Sequence, residues 1–446
     1  MKISFKDKVY LSIIFSVGIF LRILWIIKVP CKPVSDFETY QQIASNVFMN
    51  KGHTYLGQPV AFQGMGYPTA LGYFYKLVGT NDIFYGKLFN VILSSLTLVF
   101  VLAILVKLIN KRKILYSVFI ITVFMPNYIA YNNVIGTESL ATFLMTIIIF
   151  LQVSGFNKVF RYILIGIFIG MLALVKPNFL VYPVIVTVIE WMKNKKLKEA
   201  AALFVCSVIF MSIVVAPWTY RNYKQFNLLI PISYNGGYVL FINNNSNNSN
   251  GAWMAIARVQ VAQEVQKNMS ECGLEYGSPL ELEAKQVLFN PKLERVLKSE
   301  AKEWIINHPA RFLTLGLMRI KNTFFNGAGD IQDWTMYNAD DSLVFVKFMK
   351  SYHIRVVLDS FIRVLSAMAI IYLLINIKKI VSCFFSRKKE VDYRISIPII
   401  NIAFFLLISF VFEGQPRYNY PVLFLLAFCA VDLSIILKEK ILQIRS

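Results

Sequence analysis

Residues 84–106 read FYGKLFNVILSSLTLVFVLAILV, a run of 23 positions in which Lys87 is the only charged side chain. A helix needs roughly 20 mostly apolar residues to cross the hydrocarbon core of a bilayer, so this run predicts a membrane span. Comparable apolar runs lie to either side of it, at 9–29, 114–131, 136–153, 162–176, 179–192, 200–217, 356–377, 395–412 and 421–437. The chain has 446 residues, 57% hydrophobic and 16% charged, with a mean hydropathy of +0.56. Soluble domains carry about a quarter charged residues. A soluble enzyme is therefore excluded. So is a protein held by a single anchor, because the apolar runs are spread over the whole length. The expected fold is an all-α polytopic membrane protein of about ten transmembrane helices.

The net charge is +21, from 46 Lys and Arg against 25 Asp and Glu. In a soluble chain this would suggest nucleic acid. In a membrane chain it first suggests basic cytoplasmic loops. With the N-terminus inside, the inner segments are 1–8, 107–113, 154–161, 193–199, 378–394 and 438–446. They hold 22 basic and five acidic residues, so +17 of the total lies on one side. The expected arrangement is a multi-pass cell-membrane protein with both termini cytoplasmic and no nucleic-acid partner.

This topology divides the chain. Residues 1–217 form an N-terminal membrane module of about seven spans with an outer loop at 31–83. Residues 218–353 form an extracytoplasmic mixed domain, and 354–446 a C-terminal module of about three spans. Segment 218–353 has 14 basic and 12 acidic residues, an ordinary soluble balance. It reads as helical from Leu280 to about Phe325, with Pro309 breaking or restarting a helix. Its tract Asn243–Asn250 is turn-prone and without apolar periodicity. The five cysteines show no ligand spacing and the three histidines are far apart, so neither a disulfide framework nor a metal centre is indicated.

The candidate chemistry lies in the outer connections. In Ser35-Asp36-Phe37-Glu38-Thr39-Tyr40, Ser35 and Glu38 have the spacing of a helix capping box. Phe37, Tyr40, Ile43 and Val47 then recur on one face of an amphipathic helix. Asp36 either serves that helix start or acts as general base on an incoming hydroxyl or amine, and the two roles are compatible. Glu138, in Gly136-Thr137-Glu138-Ser139-Leu140, complements a helix dipole or serves the same site. An acid at the mouth of a membrane helix is costly to bury, which favours a functional role.

Three cations sit outside, where the topology rule does not place them: Lys176 in Lys176-Pro177-Asn178, Arg221 after Pro217-Trp218, and Arg417 in Gly414-Gln415-Pro416-Arg417-Tyr418. They either contact lipid headgroups or bind a phosphate, for which Arg supplies a planar donor fork. Inside the spans, Asp359 and Arg363 are spaced to pair. Arg22 and Asp432 must face the protein interior.

Taken in order, these elements resemble the bacterial GT-C fold membrane glycosyltransferases, close to protein O-mannosyltransferases and aminoarabinose transferases. Gly64-Met65-Gly66-Tyr67-Pro68, Lys176-Pro177, Arg221-Asn222-Tyr223, His308-Pro309 and Arg417-Tyr418 belong to the same set. The resemblance implies transfer of a sugar from a polyprenyl-phosphate donor to a glycan, lipid or protein acceptor at the outer face of the membrane, with inversion. It implies Asp36 as catalytic base with Glu138 assisting. Lys176, Arg221 and Arg417 would bind the donor phosphate, with Glu38, Tyr67, Asn222 and Tyr418 lining the substrate pocket. Asp36 is followed by Phe37 and not by the Glu of eukaryotic protein mannosyltransferases, and Lys stands at 176 where relatives often have Arg. No cofactor is implied, and metal dependence varies across the fold. The competing readings are a transporter or flippase for a lipid-linked glycan, and a non-catalytic envelope assembly protein.

Overall fold

A computed structural model describes residues 4–275, 280–386 and 388–445. The first half holds α1 (Phe5–Lys28), α2 (Asp36–Phe48), α3 (Gly66–Val78), α4 (Ile83–Leu108), α5 (Arg112–Val123), α6 (Pro126–Ala130), α7 (Thr137–Val153), α8 (Lys158–Val175), α9 (Tyr182–Asn194) and α10 (Leu197–Phe226). The second half holds α11 (Gly236–Asn243), α12 (Gln263–Glu271), α13 (Leu280–Phe289), α14 (Leu293–Asn307), α15 (Pro309–Phe324), α16 (Val344–Met349), α17 (Tyr352–Phe385), α18 (Tyr393–Val411) and α19 (Leu423–Arg445). In an apolar solvent every backbone polar group must be satisfied within its own segment, and helices do that.

All ten apolar runs are helical, but they are unequal. Among the described residues seven helices are long and apolar enough to cross a membrane, and the bent pair 112–133 makes eight. The expected ten is thus reduced. Helix α7 has 17 residues and α9 only 13. At 1.5 Å per residue these reach about 25 and 20 Å, less than a hydrocarbon core of about 30 Å. Burial explains how α7 remains so apolar: 14 of its residues are inside the protein, packed against α4 and α8. Helices α1 and α10 instead keep apolar side chains outward, among them Ile13, Phe20, Ile209 and Ile213. Such faces are costly in water and ordinary in lipid.

Three details differ from the sequence reading. Helix α10 continues through Pro217 to Phe226, past the expected end of the span at 217. Segment 218–353 is helix and loop among the described residues, not mixed. The two short strands, Thr54–Tyr55 (β1) and Gln58–Pro59 (β2), pair as a hairpin in the 31–83 connection. Ser35 makes no capping bond: its φ is 55°, in the left-handed region, and Glu38 accepts from Gln42 Nε2 at 3.1 Å. The capping box is formed elsewhere, by Ser4 and Asp7 at the start of α1.

The apolar face of α2 is as expected, with Phe37, Tyr40, Ile43, Ala44 and Val47 buried, largely against α3. Helices α11 to α14 carry a small core of their own around Phe241, Ile256, Leu293 and Leu297. Pro309 does restart the helix after His308. The asparagine tract is structural. Asn244, Asn245 and Asn248 are buried and donate to backbone carbonyls, and Arg319 from α15 bonds Asn244 Oδ1 at 2.9 Å.

Arg22 and Asp432 face inward, as expected, while Arg363 is exposed. Arg22 reaches Ser94 Oγ at 2.9 Å and the carbonyls of Gly18 and Val123. Asp432 pairs with Arg394 and accepts from Tyr372 at 3.1 Å. Asp359 pairs with Arg363 at 3.5 Å and also receives the amides of Gly327 and Ala328.

Candidate active site

Connections that are far apart in sequence converge on a cavity of about 280 Å³ at one end of the bundle. Asp36 is the first residue of α2, and Glu138 lies in the first turn of α7. Two acids therefore enter the cavity at helix N-termini, where the backbone dipole favours negative charge. Lys176 ends α8 and turns into the Pro177–Val181 helical turn. Arg417 and Tyr418 come from the Pro416–Val422 turn that leads into α19.

The charges are arranged as two crossed pairs. Arg417 Nη2 lies 3.0 Å from Asp36 Oδ2, and Gln63 Nε2 donates to the other Asp36 oxygen at 2.6 Å. Lys176 Nζ lies 3.1 Å from Glu138 Oε1, while Glu138 Oε2 is buried without a hydrogen-bond partner among the described residues. The Tyr418 ring lies between the cations, its centre 5.4 Å from the Arg417 guanidinium and 5.7 Å from Lys176 Nζ. Phe37 and Trp334 complete an aromatic collar around Arg417, at 5.2 and 5.4 Å. Such a collar positions a planar guanidinium and excludes water from it. Trp334 belongs to a π-helical turn, Asp330–Thr335, of a kind that often marks functional positions.

Glycines set how closely these parts approach. A Cβ on Gly64 would lie 2.4 Å from the Val175 carbonyl oxygen, and one on Gly66 would lie 2.8 Å from the Leu174 carbonyl carbon. The Gly64-Met65-Gly66 element therefore lets the start of α3 rest directly on the end of α8. That contact brings Gln63 and Lys176 to one cavity.

Of the residues expected from sequence, the cavity brings together Asp36, Glu138, Lys176, Arg417 and Tyr418. The other four lie elsewhere. Glu38 is exposed and bonds Gln42. Tyr67 is buried behind Tyr40, with its hydroxyl on Asn90 at 3.1 Å. Asn222 is buried and holds the carbonyls of Ile230 and Ile232. Arg221 lines a neighbouring, largely apolar groove with His53, Met171 and Leu174. Its guanidinium donates to the carbonyls of Val60 at 3.1 Å and His53 at 2.9 Å and stacks near Trp218, which gives it a structural task.

Sequence reasoning missed Gln63, Trp334, Glu294 and Glu413. Gln63 and Glu413 each adjoin a quoted motif, so adjacency was the available signal. Nothing local distinguishes Trp334 or Glu294. Burial holds the carboxyls of Glu413 and Glu294 above the ordinary glutamate range. Asp330, fully buried behind the aromatic collar, is also held well above its usual range, by burial and by the Glu138 charge. Among the described residues no group of three or more His, Cys, Asp or Glu is gathered to hold a metal ion.

No protein-family profile matches the sequence, and no curated protein matches it. Solved structures do. The apo oligosaccharyltransferase of Archaeoglobus fulgidus superposes with a TM-score of 0.54 at 11% identity, over 98% of this chain and 51% of that one. Its AglB complex with an inhibitory peptide and a dolichol-phosphate gives 0.51 at 11% identity, with the same coverage. ArnT from Cupriavidus metallidurans bound to undecaprenyl phosphate gives 0.46 at 11% identity, over 95% of this chain and 77% of that one. This chain spans about half the length of the oligosaccharyltransferase structures it matches. At this identity the likeness shows the fold alone: the chain shares the fold of the oligosaccharyltransferase structures over about half of their length.

Proposed function

We propose that this protein is an integral-membrane glycosyltransferase that moves a sugar from a polyprenyl-phosphate donor to an acceptor at the extracytoplasmic face. One observation carries the reading: two carboxylates and two cations form ion pairs within a single cavity of an otherwise apolar bundle. The positive-inside charge balance supports the sidedness. The likeness to a fold that in AglB is seen with dolichol-phosphate supports the lipid class of the donor.

In this reading the Asp36–Arg417 pair exchanges partners during the reaction. The donor phosphate draws Arg417 and Lys176, and the acceptor O–H or N–H faces Asp36. The acceptor atom bonds to the anomeric carbon as the carbon–oxygen bond to phosphate breaks, and the electron pair leaves on the phosphate. The acceptor proton goes to Asp36. Protonated Asp36 no longer competes for Arg417, so the guanidinium is released to the phosphate as its charge grows. Fixed donors aimed at developing charge in a poorly hydrated site are an effective source of catalysis. Direct displacement with one base inverts the anomeric centre. Lys176 turns from Glu138 toward the phosphate by charge attraction alone, with no proton passed to Glu138. No cofactor takes part in this scheme.

The test uses purified protein in nanodiscs with a panel of undecaprenyl-phosphate-linked sugars and envelope extract as acceptor source. The expected result is sugar transfer that D36N abolishes. Transfer unaffected by D36N would overturn the base role. Movement of the lipid-linked sugar across the bilayer without transfer would instead establish a flippase.

A further inference from the structure

The cavity contains more carboxylate than its cations can neutralise. Besides Asp36 and Glu138 it is lined by Glu413 and Glu294, and neither of these has an ion-pair partner among the described residues. Glu413, just beyond α18, is 5% exposed and is held by neutral donors: the Tyr418 hydroxyl at 2.7 Å and the Gln415 amide. Glu294, from α14, accepts the Gly237 amide of α11 at 2.6 Å. The same cavity is lined by Ser233, Asn235 and, on α18, Ser409. Ser409 is 1% exposed, lines the cavity, and its hydroxyl has no hydrogen-bond partner among the described residues. A buried hydroxyl left unpaired costs about 1–3 kcal/mol unless something else bonds it.

Among the described residues the cations lining the cavity are Arg417 and Lys176, each already paired. Arg319, whose charge also reaches Glu413, is engaged with the carbonyls of Phe410 and Val411 and does not line it. Tyr418 links Arg417 and Lys176 to Glu413, with its ring beside both cations and its hydroxyl on the carboxylate. In a sugar phosphate the ring begins one bond from the bridging oxygen. A phosphate at Arg417 and Lys176 therefore places the ring within reach of Tyr418 and its neighbours.

We infer that Glu413, Ser409 and Glu294, which line one cavity, form a sugar-hydroxyl subsite that accepts uncharged sugars and rejects uronic acids. The inference rests on the transferase reading for the position of the phosphate. Carboxylates bonded only by neutral donors keep lone pairs for sugar hydroxyls, and Ser409 supplies the matching unpaired hydroxyl. A uronate carboxylate would meet Glu413, Glu294 and Glu138 with no free cation to answer it. A site that rejects by leaving charges unpaired discriminates strongly.

The test is binding to protein in nanodiscs, read by tryptophan fluorescence, with three probes: undecaprenyl phosphate, its glucose ester and its glucuronic acid ester. The unsubstituted protein is expected to bind the glucose ester at least tenfold more tightly than the glucuronic acid ester. E413Q is expected to lose most of this discrimination while its affinity for undecaprenyl phosphate stays within twofold. A structural role would weaken all three probes together. E294Q serves as a second isosteric variant should E413Q fold poorly, with the same expected direction. Equal binding of the two esters by the unsubstituted protein, or a parallel loss on undecaprenyl phosphate, would overturn the inference. If the esters are discriminated as expected but no sugar is ever transferred, the subsite stands and the transferase reading fails.

Discussion

The Asp36 carboxylate and the Arg417 guanidinium, 381 positions apart, form a 3.0 Å ion pair enclosed by Phe37, Trp334 and Tyr418. The side chain of Arg417 is 10% exposed and that of Asp36 is 35% exposed. The cation is therefore the buried partner and depends on the pair for its charge balance. Breaking such a pair from one side leaves an unanswered charge.

Loss of Arg417 is expected to cost more in function than in stability. R417A should lower transfer by about 10²–10³-fold, the range for removing one donor to a developing oxyanion. R417K should recover only a small part, because an ammonium cannot reproduce the fork or its stacking. Initial rates with a matched undecaprenyl-phosphate sugar, alongside melting temperatures, separate the two effects.

Removing the carboxylate should do the opposite to binding. In D36N, Arg417 no longer has its resting partner, so undecaprenyl phosphate should bind more tightly, by about three- to tenfold, or up to 1.4 kcal/mol. Transfer should fall at the same time. Weaker binding in D36N would show that Arg417 does not exchange between Asp36 and the phosphate.

The Glu138–Lys176 pair is suited to a double-mutant cycle. E138Q and K176M should each destabilise, since Glu138 is 2% exposed and Lys176 21%. The double variant should be less damaged than the sum, with a coupling of about 0.5–3 kcal/mol. Additive effects on the melting temperature would mean that the contact contributes nothing.

Backbone approach at Gly64 gives a steric prediction. G64A places a Cβ 2.4 Å from the Val175 carbonyl oxygen and should destabilise by about 1–3 kcal/mol. It should also weaken undecaprenyl phosphate binding, because the end of α8 that carries Lys176 must shift. Gly155 has open space around it, so G155A is the neutral control.

His53 gives a pH dependence. Burial and the nearby Arg221 charge push its imidazole down from 6.5 to about 4. Between those values the unfolded chain binds more protons than the folded one, so stability rises with pH there. The contribution is fully present above pH 6.5 and is lost as the pH falls toward 4. H53Q should flatten this part of a melting-temperature profile. An unchanged slope would show that His53 does not titrate in that window.

Much of the site was legible because helix starts and charge sidedness are local properties. Asp36 and Glu138 open helices beside apolar runs, and Lys176, Arg221 and Arg417 fall on the side that should be poor in cations. Span length was less legible. Hydropathy cannot distinguish a helix bathed in lipid from one buried in protein, so the enclosed α7, like the still shorter α9, read as a full span. The capping box was misassigned for a similar reason, since Ser35 and Glu38 have the right spacing but the chain turns at Ser35 through a positive φ.

By itself, the sequence determined that this is a helical membrane protein, that its basic residues gather in one alternating set of connections, and which few charges stand apart from them. Those properties follow from composition and short-range periodicity. Only the tertiary structure decided which charges meet. It paired Asp36 with Arg417 and Glu138 with Lys176, moved Arg221 to the carbonyls of His53 and Val60, and brought Glu413, Ser409 and Glu294 to the same cavity. The physical reason is distance along the chain. Ion pairs and cavities form between segments hundreds of residues apart, and their partners are selected by how helices pack, at contacts such as Gly64 on Val175, and not by any local pattern.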